Sequence, residues 1–157
     1  MARTRAVDAL ERSGVEFAVH TYEISGDHGE TFGEAVAEAL GVGPERVFKT
    51  LVAEADGEPL VAIVPVTGTL SLKALARTVG AKRAVMADPA VAERLTGYVV
   101  GGISPFAHRR RLPVVADESV RGHDRVFVSG GRRGLQVEVS PDDLLTLTGA
   151  VTAPVAG

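Results

Sequence analysis

The sequence predicts a mixed α/β fold, in which helices surround a mostly antiparallel or mixed sheet. Apolar residues make up 45% of the 157 residues, whereas aromatic residues make up only 4%, so aliphatic side chains must fill the core. Helix-like and strand-like segments follow one another without strict alternation, which disfavours a purely parallel sheet. Because no internal repeat or long linker divides the chain, we expect one domain spanning residues 1–157.

Five helices are predicted from their start and stop signals. Most begin at a residue that can cap the first turn, and most end at a glycine. Thr31-Phe32-Gly33-Glu34 has the pattern of a capping box, in which the side chains of residues 31 and 34 each accept a backbone N–H of the other. The expected helices occupy residues 3–13, 31–41, 71–79 and 88–97, with a fifth beginning at residue 140.

Strands are predicted where short apolar or alternating runs lie between turn residues. The runs 47–54 and 60–66 flank a turn at Asp56-Gly57 and predict a hairpin. The second of these runs is apolar on both faces, which is typical of a central strand. The other expected strands are 17–22, 82–87, 98–103, 113–116, 125–129 and 135–139.

Charge and composition exclude several functional classes. The net charge of −3 disfavours a protein that coats nucleic acid with its whole surface, but allows a local basic patch. The absence of cysteine excludes disulfides, thiolate metal sites and a cysteine nucleophile. Residues 1–10 contain no apolar signal-peptide core, and no apolar run approaches the roughly 20 residues of a membrane span. We therefore expect a cytoplasmic protein that binds neither membrane nor DNA.

A metal site or other cofactor is not expected. The four histidines lie far apart in the sequence, and no pair has the spacing of helical metal ligands. They are His20, His28, His108 and His123.

Lys49 lies within a predicted apolar strand. Alternation places it on one face with Val47 and Leu51, and places Thr50 on the opposite face unless the strand bends. One interpretation is an edge lysine whose ammonium reaches solvent along its aliphatic stem. The other is an ammonium directed into a pocket, where it would stabilise a phosphate or an oxyanion. The strand alone leaves both open.

Two glycine-rich loops are candidates for anion binding. Gly101-Gly102-Ile103-Ser104-Pro105 follows an apolar run, and its backbone N–H groups could hold an anion or a carbonyl oxygen. The segment Ser129-Gly130-Gly131 is similar. Both patterns are equally compatible with ordinary turns. A basic cluster follows each loop, and these arginines could hold RNA phosphates if the loops converge. The arginines are Arg109, Arg110, Arg111, Arg132 and Arg133.

Several of these segments, in the same order, resemble the YbaK branch of the YbaK/ProX family. The similarity extends over about residues 3–149, and the glycine loop combined with the strand lysine is its most specific part. The matching segments are Phe48-Lys49-Thr50-Leu51, Met86-Ala87-Asp88-Pro89, residues 96–105 and residues 128–135.

The resemblance implies a fold like the editing domain of bacterial prolyl-tRNA synthetase and an enzyme that deacylates Cys-tRNA(Pro), with Cys-tRNA(Cys) as a further substrate. It implies that Lys49 is essential and that Tyr22 and Phe32 line the substrate pocket. Gly101, Gly102 and Ser104 would join Lys49 in catalysis, and Thr50, Ile103, Ser129 and Gly130 would contact the substrate.

The resemblance also implies a substrate-assisted mechanism. In it, the thiol of the substrate cysteine attacks its own ester, and the amino acid leaves as a thiolactone. The expected partners are the acceptor end of an aminoacylated tRNA and prolyl-tRNA synthetase. Two alternatives remain: a deacylase for another small amino acid such as alanine, and a non-catalytic module that binds a nucleotide or an RNA end.

Overall fold

The computed structural model describes residues 3–24 and 32–157. In this part of the chain, five α-helices and eight strands form a mixed α/β fold, as the sequence predicts. The helices are α1 (Arg5–Ser13), α2 (Phe32–Leu40), α3 (Leu72–Thr78), α4 (Pro89–Thr96) and α5 (Pro141–Thr148). The strands are β1 (Phe17–Thr21), β2 (Phe48–Ala55), β3 (Glu58–Pro65), β4 (Ala84–Met86), β5 (Val114–Asp117), β6 (Val126–Ser129), β7 (Leu135–Val139) and β8 (Val151–Ala153).

The strands form two sheets rather than the one expected. The smaller sheet has the order β1-β7-β6 and is antiparallel. The larger has the order β4-β2-β3-β5-β8, with antiparallel β2–β3 and β2–β4 pairs and parallel β3–β5 and β5–β8 pairs. A parallel bridge between Val47 and Phe127 joins the sheets beside the start of β2.

The predicted hairpin and its central strand are confirmed. Asp56 and Gly57 both have positive φ, 48° and 84°, as a tight turn between twisted antiparallel strands requires. The second strand of the hairpin, β3, lies in the middle of the larger sheet.

Local capping explains where four of the helices begin, and α1 is one of them, because the Thr4 hydroxyl accepts the N–H of Val7 at 3.1 Å. The Ser71 hydroxyl accepts the N–H of Ala74 at 3.1 Å, and the Ser140 hydroxyl accepts the N–H of Asp143 at 3.1 Å. The Asp88 carboxylate likewise accepts the N–H of Ala90 at 3.0 Å. The capping box predicted at residues 31–34 includes Thr31, which lies outside the described residues.

One predicted strand is absent from the described structure, and one strand of the structure was not predicted. Residues 98–103 form turns, because the Gly102 N–H donates to Val99 O at 2.8 Å and the chain folds back on itself. Val99 is 70% exposed and has no strand beside it. Strand β8 was not predicted, since its only pairing is with β5, which is distant in the sequence.

The core consists of three apolar clusters. The main cluster lies between the two sheets and includes side chains from α1, α4 and α5, such as Leu10 and Leu144. A second cluster, around Leu75 of α3, covers the opposite face of the larger sheet. A third packs Val36 of α2 against Val47 and Phe127. None of the described helices is long and apolar enough to cross a membrane.

Candidate functional site

A cavity of about 520 Å³ lies where the start of β2 meets α2, the end of β6 and two loops. Its wall is mostly apolar, and its polar lining groups come from β2, β6, β7 and the loop after β6. The lining includes Phe32, Gly33, Lys49, Thr50, Met86, Val100, Gly101, Ile103, Ser129, Arg133 and Gln136.

Lys49 and Thr50 both line this cavity although they are adjacent on β2. The reason is the edge of the strand. β4 pairs with β2 only from Ala53 to Ala55, so the first half of β2 has one edge without a β partner. The lining includes β2 residues from both faces of the strand, Lys49 and Leu51 on one and Phe48 and Thr50 on the other. Lys49 is half-buried, and within the described residues it forms no ion pair.

The glycine loop contributes Gly101 and Ile103 to the lining. Gly101 has φ +95°, a conformation that favours glycine. At Gly102, a Cβ would lie 2.5 Å from the Cα of Arg132, so only glycine lets the two loops pack this closely. The Gly102 N–H is already donated to Val99 O, so it is not available to a ligand. We expected the N–H groups of this loop to bind a carbonyl oxygen. Within the loop, Gly101 and Ile103 are the residues that line the cavity.

Ser104 lies behind the loop and not on the cavity wall. It is 0% exposed, and its hydroxyl accepts the N–H of Phe106 at 3.3 Å. Its carbonyl accepts a hydrogen bond from His108 Nε2 at 2.6 Å, so this nitrogen must carry the proton. The Tyr98 hydroxyl donates to Phe106 O at 2.6 Å. These side chains form a buried brace that holds the glycine loop from behind.

Burial determines the charge state of this brace. Desolvation lowers the pKa of His108, because the protonated ring loses hydration, and Arg5 acts in the same direction. Burial also raises the pKa of Tyr98 to about 12. Both groups are therefore neutral near pH 7, and His108 can serve as a fixed donor to Ser104.

The second glycine-rich loop lies against the first. Arg133 extends from it over the ring of Phe32, with the guanidinium carbon 4.6 Å from the ring centroid. The Arg133 side chain also packs beside Gly101. The Ser129 hydroxyl accepts the N–H of Gly131 at 3.2 Å, which orders the turn. Cation–π contact with Phe32 fixes a second positive charge on the cavity wall.

The sequence profile of the aminoacyl-tRNA editing domain matches residues 27–147. The chain belongs to the aminoacyl-tRNA editing domain family. The candidate Cys-tRNA(Pro)/Cys-tRNA(Cys) deacylase EbsC of Enterococcus faecalis is 34% identical over 98% of this chain and 93% of its own length. The multifunctional Ser/Thr-tRNA deacylase ProXp-y of Escherichia coli is 34% identical over 72% of this chain and 67% of its own. A crystal structure described as a candidate trans-editing enzyme for prolyl-tRNA synthetase superposes with a TM-score of 0.86 at 27% identity, covering 100% of this chain and 99% of that one.

Four residues expected to bind the substrate or to act in catalysis lie outside the lining of the editing-domain cavity, and Gly102, packed against Arg132, is one of them. Tyr22 packs in the third apolar cluster beside Phe32, and its hydroxyl is buried without a hydrogen-bond partner in the described residues. Gly130 is buried, and its N–H is donated to Leu135 O at 2.8 Å. Ser104 belongs to the brace. The roles of these residues remain predictions.

The five arginines expected to bind RNA are all exposed, but they do not surround one pocket. Arg133 lines the cavity, and the backbone of Arg132 lies against Gly102. Arg109 lies beside Gly97 at the end of α4, where Arg5 joins it, and Arg111 lies beside Gly149 at the end of α5. Arg110 follows Arg109 on the surface.

Sequence reasoning missed Gln136. In β7 the apolar residues Leu135, Val137 and Val139 face the main core, so Gln136 faces the opposite side together with Glu138. Glu138 is bound by His20 at 2.9 Å, whereas Gln136 lines the cavity. The sequence signal for Gln136 is a neutral amide in a strand whose apolar residues alternate. That pattern does not show that the amide lines a cavity.

No group of three potential metal ligands occurs among residues 3–24 and 32–157. The cavity lining that the structure describes contains no histidine or carboxylate. The polar groups of the described lining are two cations, two hydroxyls, one amide and backbone N–H groups.

Proposed function

We propose that this editing domain deacylates mischarged tRNA, with cysteine on tRNA(Pro) as the main substrate and Cys-tRNA(Cys) as a further one. The observation that carries this proposal is Lys49, a half-buried cation without an ion-pair partner in the described residues, on the wall of a mostly apolar cavity beside the glycine loop. Family membership supports the same substrate class, because relatives named as deacylases match most of the chain. We place the protein in the cytoplasm, where aminoacyl-tRNA is made, as one domain spanning residues 1–157.

Lys49 would bind next to the scissile ester or the terminal phosphate. In a cavity with mostly apolar walls, a fixed ammonium stabilises developing negative charge far better than it does in water. Arg133 supplies a second cation on the same wall. The N–H groups of Gly101 and Ile103 are suited to hold the ester oxygen as it becomes an oxyanion.

The nucleophile would come from the substrate. The chain has no cysteine, and the described lining offers no histidine or carboxylate to activate Thr50 or Ser129. A substrate thiol held next to its own ester gains an effective molarity of roughly 10⁵ M or more. Its sulfur attacks the carbonyl carbon, the bond to the ribose oxygen breaks, and that oxygen takes up the thiol proton. The products are a cyclic thiolactone, later opened by water, and free tRNA.

The partners that fit this chemistry are the acceptor end of a charged tRNA and prolyl-tRNA synthetase, which would present it. Editing in a second site is useful because binding alone separates similar small side chains by only about 10- to 200-fold. A pull-down of prolyl-tRNA synthetase with and without tRNA tests the second partner. Failure to recover the synthetase in either condition would contradict it.

The test of function is a deacylation assay on tRNA charged with cysteine, serine, alanine or proline. We expect rapid release only from Cys-tRNA, with thiolactone as the first product detected by mass spectrometry. Ser-tRNA has nearly the same size but a far weaker nucleophile, so it is the matched control. Equal rates on Ser-tRNA with direct release of free amino acid would identify water as the nucleophile. Preference for Ala-tRNA would support the alternative deacylase, and no turnover of any substrate would leave a binding module.

A further inference from the structure

Two side chains of the cavity wall carry an oxygen atom without a hydrogen-bond partner in the described residues. Thr50 is 8% exposed and Gln136 is 6% exposed, and both line the cavity. Thr50 Oγ1 and Gln136 Oε1 are fully buried, and neither has a hydrogen-bond partner within the described residues. Thr50 belongs to the larger sheet and Gln136 to the smaller one, so they approach the cavity from two different elements.

Buried polar atoms without partners are rare, because each costs roughly 1–3 kcal/mol compared with a satisfied one. Because both residues line the cavity, a ligand can supply the missing donor once the Thr50 hydroxyl and the Gln136 amide rotate to turn their oxygens toward it. The amide oxygen of Gln136 only accepts hydrogen bonds, and the Thr50 hydroxyl can accept one as well. The missing ligand group is therefore a hydrogen-bond donor.

The charges of the cavity lining further limit which hydrogen-bond donor the ligand can present. Lys49 and Arg133 are the charged residues of the described lining, and both are cations, so they suit the phosphate and the ester oxygen. The nearest carboxylate on the same face of β7, Glu138, is bound by His20 and lies 3.9 Å from Arg46. A carboxylate inside the cavity would attract Lys49 and neutralise it. Neutral acceptors can bind an ammonium without that effect.

We propose that Thr50 Oγ1 and Gln136 Oε1 form an acceptor subsite for the α-ammonium group of the aminoacyl ester. The group carries three N–H donors and a charge, which makes it a better match for two neutral acceptors than a thiol with one weak donor. The inference rests on the proposed function, because it assumes an aminoacyl ester in the cavity. It orients the substrate with its ammonium toward β7 and its ester toward Lys49.

The test uses a non-hydrolysable probe, cysteinyl-adenosine joined by a 3′-amide, and its N-acetylated form, which lacks the ammonium. Calorimetry measures binding of both probes to the full-length protein, to Thr50→Val and to Gln136→Met. Thr148→Val is the matched control, because Thr148 is equally buried but its hydroxyl is donated to Leu144 O at 2.8 Å away from the cavity.

We expect N-acetylation to weaken binding to the unaltered protein by about 10-fold or more. In Thr50→Val and Gln136→Met this difference should fall below about threefold, whereas Thr148→Val should retain it. Gln136→Glu should bind the ammonium probe at least as well as the unaltered protein does. If Gln136 donates to the ester instead, Gln136→Glu will bind both probes more weakly, and the inference is wrong.

Turnover of Cys-tRNA, measured in parallel, separates this inference from the proposed function. If the unaltered protein deacylates Cys-tRNA, and N-acetylation weakens probe binding to Thr50→Val and Gln136→Met as much as to the unaltered protein, the acceptor subsite is wrong and the deacylase assignment stands. If Cys-tRNA is not deacylated, but the effect of N-acetylation on probe binding is lost in Gln136→Met, the deacylase assignment is wrong and the subsite is supported.

Discussion

Two buried polar regions of this molecule differ in how their hydrogen bonds are used. Asp117, at the end of β5, is 6% exposed, and its carboxylate accepts three backbone N–H groups: Val155 at 3.0 Å, Ala156 at 2.9 Å and Ser119 at 3.2 Å. Thr50 and Gln136, on the cavity, are buried to a similar degree but leave one oxygen atom each without a partner in the described chain.

The difference indicates which buried polar groups stabilise the fold and which serve a ligand. The hydrogen bonds of Asp117 tie the last residues of the chain to the larger sheet, so this carboxylate is structural. The oxygens of Thr50 and Gln136 accept no comparable bond within the described residues. Functional sites commonly depart in this way from the rule that buried polar groups are satisfied.

The largest expected effect is on catalysis, from Lys49→Ala. Without the ammonium, Cys-tRNA deacylation should fall by about 100-fold or more, because an electrostatic contact to the transition state is lost. The melting temperature should change little, since Lys49 makes no ion pair in the described structure. Rates from single-turnover assays and melting by circular dichroism measure both. Near-normal deacylation by a folded variant would contradict the role of Lys49.

The second-largest effect should come from Asp117→Ala, which should change stability and not catalysis. Three N–H groups lose their acceptor, and we expect the free energy of unfolding to drop by about 3 kcal/mol. Burial alone would raise the pKa of Asp117, but its hydrogen bonds to Ser119, Ala156 and Val155 outweigh this and lower it below 3.8. The stabilisation is thus complete above pH 3.8 and is lost as pH falls through the folded-state pKa.

Denaturant unfolding at several pH values tests this, with the exposed Asp124→Ala as control. The control should have the same free energy of unfolding as the unaltered protein at each pH. In Asp117→Ala, the decrease in the free energy of unfolding at acidic pH should be absent. The kcat of folded Asp117→Ala should be unchanged. A loss of kcat with normal stability would mean that the two regions are not separate.

A smaller effect concerns RNA. The double variant Arg132→Ala/Arg133→Ala should weaken tRNA binding several-fold at moderate salt and reduce the slope of log K against log salt by roughly 1.4, the value for two contacts to a single strand. Lys73→Ala/Arg77→Ala removes two exposed charges from α3, away from the cavity, and should leave the slope unchanged. An unchanged slope in the first variant would exclude Arg132 and Arg133 as phosphate contacts.

The smallest effect should come from His108. Burial lowers the pKa of its ring in the folded state below the ordinary 6.5, so unfolding takes up a proton as the solution becomes acidic. Its contribution to stability is full above pH 6.5 and declines between pH 6.5 and the folded-state pKa. His108→Gln keeps a donor for Ser104 O, and it should flatten this decline while keeping the deacylation rate within about threefold. His108→Ala should lower the rate further, because the brace loses its donor.

Local chemistry made much of the fold predictable. The helix starts at Ser71, Asp88 and Ser140, and the turn at Asp56-Gly57, depend on neighbouring residues, and the structure confirms them. The division into two sheets and the pairing of β8 depend on contacts between distant segments, which local patterns do not encode.

The candidate site was predictable to the same extent. Lys49 and Gly101 stand out in the sequence, and both line the cavity. Gln136 does not stand out, because its importance arises only from the cavity that residues of β7 and β2 line together. The apolar run after Gly97 resembled a strand, yet Val99 and Val100 are exposed, and no described strand pairs with them.

Thr50→Val tests most directly whether the unsatisfied oxygens of Thr50 and Gln136 bind the substrate and not another part of the protein. Valine has nearly the same shape and removes only the hydroxyl, so stability and Cys-tRNA deacylation can be measured on the same folded sample. We predict a melting temperature equal to or above that of the unaltered protein, because no hydrogen bond within the described fold is lost, together with a loss of kcat/KM of about 10-fold or more. A lower melting temperature with unchanged kcat/KM would show that this hydroxyl serves the fold, and would contradict the account.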